Sequence, residues 1–186
     1  TAKDIALASD GTIFLAAESN GGLRAYTYNG SSFTNTGYIN TGDHAWDVSV
    51  AADGTIFLAN YEGGLQAYTF DGSTFTNTAN IDDGGKAKGV AVASDGTVFI
   101  ANEDDGLRAY TYNGSSFTNT AHINDGGEGN GVAVSTDGTV FLANDDDGLR
   151  AYTYNGSSFI NTAHVITGEK ANSVSISSDG TVFLAN

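Results

Sequence analysis

A chain of 186 residues with no cysteine, proline or methionine, and with seven basic against 22 acidic side chains, is long enough to bury a core without disulfides or thiolate-held metal. Its formal charge of −15 repels phosphate backbones and anionic lipid, so nucleic acid is not an expected partner. No apolar run approaches the ~20 residues of a membrane helix, so membrane insertion is not expected either, and the missing initiator Met points to a processed product or a piece of something longer.

The chain opens on DIALASDGTIFLA, Asp4 to Ala16, two alternating apolar runs joined at Asp10-Gly11. Asp-Gly between such runs predicts a β-hairpin whose two turn residues take positive φ, giving strands A and B. A loop over residues 17–22 leads to LRAYTY, Leu23 to Tyr28, whose period of two predicts strand C. Asn29-Gly30 turns the chain into the uncharged SSFTNTGYI, strand D, and a polar connector over residues 40–46 follows. The unit then repeats. Asp-Gly recurs at Asp53, Asp95, Asp137 and Asp179, with spacings of 43, 42, 42 and 42 residues; strand C recurs from Leu65, Leu107 and Leu149, and strand D from Ser73, Ser115 and Ser157. The units run over about 4–46, 47–88, 89–130 and 131–172, with a half-unit at 173–186.

Four strands in about 42 residues, with no helical periodicity, predict an all-β fold of the β-propeller type. A blade is covered on both faces by its neighbours, which suits the Val-Ala-Val of strand A, while strand D is polar as an outermost strand should be. A β-solenoid repeats in shorter rungs. Val90, Val92, Phe99, Val132, Val134, Phe141 and Leu142 are expected between blades. Four complete blades and a fifth A-B hairpin predict a five-bladed ring, or an open one completed by further chain or by another copy, since Thr181 to Asn186 forms an uncharged edge.

The SxDGT turn, followed about a dozen residues later by DGLR and an aromatic strand, resembles the blades of bacterial LVIVD-type repeats and, more distantly, WD40 repeats. The chain lacks the Gly-His and Trp-Asp pairs of WD40, with Tyr26-Thr27-Tyr28 standing where that dipeptide would fall, so the structural His-Asp network of that family is not carried over. The resemblance implies an extracellular or periplasmic propeller.

Apart from the five hairpin aspartates and Asp71, the acids gather at the end carrying the B-C loops and D-A connectors. Asp104, Asp105, Asp145, Asp146 and Asp147 are the candidates for holding Ca²⁺, the one cation in view; no other cofactor is expected. EF-hand spacing is not met, and turn formation with pairing to Arg24, Arg108 and Arg150 accounts for the same residues. Trp46 lies seven residues before Asp53, at the position of Lys3, Lys88, Asn130 and Asn172 in the other units. Trp46, Asp47, Lys88, Asn130 and Asn172 are therefore candidate ligand contacts at the mouth of a central channel, with the indole able to stack on a sugar ring. Asn29, Asn113 and Asn155 begin Asn-Gly-Ser sequons on exposed turns, hence candidate glycosylation sites, although Asn-Gly suits the turn without a glycan.

His44, His122 and His164 offer no catalytic triad, and the near-identity of units three and four through LRAYTYNGSSF argues against a single asymmetric active site. The expected function is a non-catalytic structural or interaction module outside the cell, associating with itself or another protein and open to oligomers or filaments. The alternative is a lectin-like propeller binding glycan at one weak site per blade, with or without Ca²⁺. An enzyme is not expected.

Overall fold

A computed structural model describes residues 1–18 and 21–186. The first sheet comprises β1 (Ala2–Leu7), β2 (Ile13–Ala17), β3 (Gly22–Tyr28) and β4 (Phe33–Ile39). The second comprises β5 (Asp47–Val50), β6 (Ile56–Ala59), β7 (Leu65–Phe70) and β8 (Phe75–Ile81), and the third β9 (Gly89–Val92), β10 (Val98–Ala101), β11 (Leu107–Tyr112) and β12 (Phe117–Ile123). The fourth holds β13 (Gly131–Val134), β14 (Val140–Ala143), β15 (Leu149–Tyr154) and β16 (Phe159–Val165), and β17 (Ser173–Ile176) with β18 (Val182–Ala185) forms a last hairpin. Each sheet is an antiparallel meander in chain order. Among the described residues there is no α-helix. The architecture is a β-propeller of four-stranded blades, with β1, β5, β9, β13 and β17 as successive inner strands in mutual contact.

The A-B turn differs from expectation in one detail. Ala8 N–H donates to Thr12 O and Gly11 N–H to Ala8 O, so three residues turn the chain, and of the Asp10-Gly11 pair only Gly11 has positive φ, 87°. Asp10 acts through its side chain instead, Oδ1 accepting the Thr12 N–H at 2.8 Å. A turn closed by a left-handed glycine explains why the pair recurs without a left-handed Asp. The C-D turns obey the same logic: Asn29 Oδ1 accepts the N–H groups of Ser31 and Ser32 at 3.0 and 2.9 Å, and Asp71 Oδ1 those of Ser73 and Thr74. An oxygen is all the position requires, so Asp71 replaces Asn with no change of turn.

Blades pack through a phenylalanine on strand B. Phe57 meets Tyr112 edge-on at 5.5 Å and Phe117 at 6.0 Å, and Phe99 meets Tyr154 and Phe159 at the same two distances. Phe14 likewise meets Phe70 and Phe75. Each knob sits in a socket on the following blade; for Phe57 this is Val90, Val98, Ile100, Tyr110 and Phe117. Burying one such ring contributes roughly 1.5–3 kcal/mol, so the repeated contact supplies much of the force between blades. Val90, Phe99, Val132 and Leu142 are buried as expected, whereas Val92, Val134 and Phe141 are only partly so. Phe141 is partly open because the hairpin it faces carries no third and fourth strands to form the aromatic side of a socket.

Candidate active site at the heads of the inner strands

The first residues of the five inner strands come together from positions some 42 apart. A cavity of about 330 Å³ is lined by Lys3, Asp4, Trp46, Asp47, Lys88, Asn130, Gly131, Asn172 and Ser173, a volume in the range of small-molecule sites. Trp46, Asp47, Lys88, Asn130 and Asn172 are thus brought into one place. Trp46, Lys88, Asn130 and Asn172 extend the inner ladder, each N–H donating to the carbonyl of Ala59, Ala101, Ala143 or Ala185 at 2.8–2.9 Å.

Two carboxyls organise one side of the cavity. The Val48 N–H is shared by Asp4 Oδ2 at 3.2 Å and Asp47 Oδ1 at 2.8 Å, and Asp47 Oδ2 accepts the Val90 N–H at 2.7 Å. Burial, and after it the adjacent Asp4 carboxyl, pushes Asp47 well above the ordinary carboxylate range, against the lowering effect of the two backbone donors. At the equivalent position the third and fourth blades have Gly89 and Gly131, where a Cβ would stand 2.9 Å from Gly131 Cα and 3.0 Å from Ser173 Cα respectively. There the inner strands touch backbone to backbone; between the first three blades a carboxylate bridges instead.

The other side is cationic and amide-rich. Lys88 Nζ donates to Asn130 Oδ1 at 3.1 Å and pairs with Glu103 at 2.8 Å, while Asn130 Nδ2 donates to Ala171 O and Asn172 Nδ2 to Lys170 O, both at 3.1 Å. Glu103 is held below its usual range: partial burial opposes this, but Lys88 and Lys86 outweigh it. The Lys3 ammonium lies 3.8 Å over Trp46, which stacks on Tyr61 at 5.7 Å. Trp46 Nε1 is buried with no hydrogen-bond partner.

Tyr61, Glu103 and Asp145 occupy one equivalent B-C loop position at φ of 51°, 46° and 45°, each exchanging two backbone hydrogen bonds with the connector that leads into the next blade, at Ala87, Gly129 and Ala171. Through them Tyr61 reaches Trp46 and Glu103 reaches Lys88; sequence reasoning noted Lys3 as the counterpart of Trp46 but singled out neither it nor Asp4, Tyr61 or Glu103 as a candidate contact. The available signal was the column Lys3-Asp4, Trp46-Asp47, Lys88-Gly89, Asn130-Gly131, Asn172-Ser173, in which chemistry changes at every unit.

The acidic-loop candidates lie outside this cavity. Asp105 pairs with Arg108 and lies near His122, Asp147 pairs with Arg150 at 2.5 Å and lies near His164, and Asp145 pairs with Lys170 at 2.8 Å. Asp104 and Asp146 sit in the same two loops. Among the described residues no three acidic, histidine or cysteine side chains converge as metal ligands. Asn29, Asn113 and Asn155 lie on exposed turns at the far side of their blades, their Oδ1 atoms engaged with Ser31, Ser115 and Ser157.

Fold and cavity define a β-propeller with an asymmetric mouth. No family model matches the sequence, nor does any curated protein. Solved structures do match. A Xanthomonas campestris gluconolactonase is similar with a TM-score of 0.72 at 15% identity, over 98% of this chain and 68% of that one. A structure provisionally named a gluconolactonase gives a TM-score of 0.71 at 15% identity over 97% and 69%. A Lactobacillus plantarum protein gives 0.83 at 17% identity over 100% and 64%. The propeller fold is thereby shown, and the chain spans about two thirds of each neighbour's length. The narrower resemblance to LVIVD-type repeats gains no support.

The expectation of a non-catalytic structural or lectin-like module, with no enzyme, is overturned by this likeness, since propellers sharing the fold are named as enzymes. The reason for the error is local. Near-identity of the units was read from strands C and D, which build the outside, whereas no two inner-strand heads carry the same pair of residues.

Proposed function

We propose that the chain is a propeller hydrolase that opens a small polar lactone, of the sugar-acid type, at the heads of its inner strands. The observation that supports this reading best is the paired carboxyl Asp4–Asp47 facing Lys88, Asn130 and Asn172 across one cavity. A carboxyl whose proton affinity is raised is a stronger proton acceptor once ionised, and an ammonium with primary amides opposite stabilises a developing oxyanion. In the reaction Asp47 takes a proton from water as its oxygen bonds to the lactone carbonyl carbon. The carbonyl oxygen gains negative charge beside Lys88. The ring C–O bond then breaks, and the proton returns from Asp47 to the departing oxygen, leaving a hydroxy acid. Trp46 supplies a flat apolar wall for the ring. The gluconolactonase names of two fold neighbours support the substrate class.

The test is proton release from gluconolactone, corrected for spontaneous hydrolysis. A catalysed rate is expected whose acid limb lies above the usual carboxylate range, because Asp47 must lose its proton to act and its affinity for that proton is raised. Asp47→Asn should lower kcat by roughly 100-fold or more, the usual contribution of a positioned base. No rate above background, or an unaffected Asp47→Asn, would overturn the assignment.

A further inference from the structure

Three of the four C-D turns place glycine and serine after an asparagine, at Asn29, Asn113 and Asn155. The Asn113 turn is exposed although a blade stands on either side of its own, so the exposure belongs to the turn itself. Within the turn the amide oxygen is surrounded by donors. Asn113 Oδ1 accepts the Ser115 N–H at 3.0 Å, the Ser116 N–H at 2.9 Å and the Ser115 hydroxyl at 3.2 Å. Asn155 has the same three partners at the same distances, and Asn29 the equivalent ones. Asp71 stands in the asparagine's place in the second blade, and there the N–H groups of Ser73 and Thr74 hold its carboxyl below the ordinary range. The cradle favours negative charge on the oxygen it holds. Beside it, the Gly114 N–H donates to no group among the described residues, and no atom beyond its chain neighbours lies within 4 Å of where a Cβ would stand.

We propose that Asn113, with its counterparts Asn29 and Asn155, is a site of self-modification by deamidation, in which the turn's own donors stabilise the oxyanion and water is the only co-reactant. The Gly114 nitrogen loses its proton to water and bonds to Asn113 Cγ, closing a succinimide ring. Oδ1 takes the negative charge inside its cradle of donors. The Cγ–Nδ2 bond then breaks as the carbonyl re-forms, and the nitrogen leaves as ammonia with a proton from water. Water opens the ring at either carbonyl. Attack on Cγ leaves aspartate, the residue the second blade already carries at Asp71; attack on the main-chain carbonyl leaves isoaspartate. Asn130-Gly131 has the same dipeptide in another setting. Lys88 meets the Asn130 oxygen, but Gly131 is buried, a Cβ there would stand 3.0 Å from Ser173 Cα, and the leaving nitrogen donates to Ala171 O at 3.1 Å. Ring closure there would have to push the inner strands apart. The turns lie away from the inner-strand heads, so the modification is independent of the lactone chemistry.

Peptide mapping by mass spectrometry tests this on the whole chain, incubated at mildly alkaline pH both folded and in concentrated urea. Water labelled with heavy oxygen marks the conversions that precede digestion. Folding should protect Asn130 and spare the three turns, so the folded-to-denatured ratio of rates at Asn113 should exceed that at Asn130 by about tenfold or more. Ser115→Ala removes one donor from an exposed turn and keeps the backbone pair. In the folded chain it should slow Asn113 by about threefold, the worth of one exposed hydrogen bond, with Asn155 in the same molecule unchanged. Ser115→Thr keeps the hydroxyl and should restore the rate. An Asn113 protected by folding as fully as Asn130, or one whose rate ignores Ser115→Ala, would overturn the proposal.

Discussion

The junction between the first and second blades and the junction between the second and third share the aromatic knob but differ in the polar groups that cross them. At the later junction Asp83, in the connector of blade two, accepts from Tyr110 and Asn119 of blade three, each at 3.1 Å, with Arg108 3.6 Å away; Thr78 also meets the Tyr112 hydroxyl at 2.5 Å. The junction after it repeats the pattern with Asp125, Arg150, Tyr152, Thr120 and Tyr154. At the first junction Thr41, Gln66 and Phe70 replace Asp, Arg and Tyr; Tyr68 turns its hydroxyl to Gln66, and the buried Thr36 hydroxyl has no partner. The difference teaches that apolar contact is the common element and the polar clamp an addition. The clamp comes as a set: without its arginine Asp83 or Asp125 would keep only neutral partners across the junction.

The largest effect should come from the shared element. Phe57→Ala and Phe14→Ala are each expected to cost about 3–5 kcal/mol in denaturant unfolding, the usual range for a buried aromatic truncated to alanine. A much smaller loss for Phe14→Ala would show that the first junction depends on something else.

Acid acts next, on the pair that holds Arg150 within its own blade. Partial burial acts to raise Asp147, but Arg150 and Asn144 outweigh it and hold its carboxyl below the ordinary range. Its contribution is therefore complete above the unfolded-state value near 4 and lost as pH falls through the lower folded value. Discounted for its partial exposure, it is worth about 1 kcal/mol, so a pH series of thermal unfolding should show the wild type losing that much more than Asp147→Asn on acidification.

A gain is expected where the first junction is deficient. Phe70 meets Phe14 edge-on at 5.7 Å much as Tyr112 meets Phe57, so Phe70→Tyr places a hydroxyl where Thr36 lacks a partner. It should stabilise the chain by about 0.5–1.5 kcal/mol, and Thr36→Val should abolish the gain. Smallest of all, Thr41→Asp and Gln66→Arg combined should show a favourable coupling of about 0.5 kcal/mol in a double-mutant cycle, with each single change neutral or harmful.

Much of the frame was legible in the sequence, because hairpin turns are local chemistry: Asp10-Gly11 and Asn29-Gly30 announce themselves within two residues, and period-two patterns such as LRAYTY assign strands directly. What was not legible depends on groups far apart in the chain. Nothing near Asp47 reveals that its carboxyl caps the Val90 N–H, 43 residues on, or that Asp4 shares the Val48 donor. Phe141 reads the same as Phe99 in its own unit, and its half-exposure is decided by which strands follow. The site was visible only in part for the same reason: Trp46 stood out by being singular, whereas Lys3, Asp4 and Glu103 gain meaning only when five inner strands converge.

Near-identity of the third and fourth units makes their hairpins exchangeable, since a hairpin of either unit from one copy fits the same knob, socket and Asp–Arg–Tyr cluster in another. Such chains are prone to misassembly by whole blades when concentrated during refolding. The first junction works as an address label against this. A hairpin misplaced there would set Asp83 against Gln66 and leave that carboxylate without a guanidinium, so a seam that lacks the clamp also gives the blades a numbering.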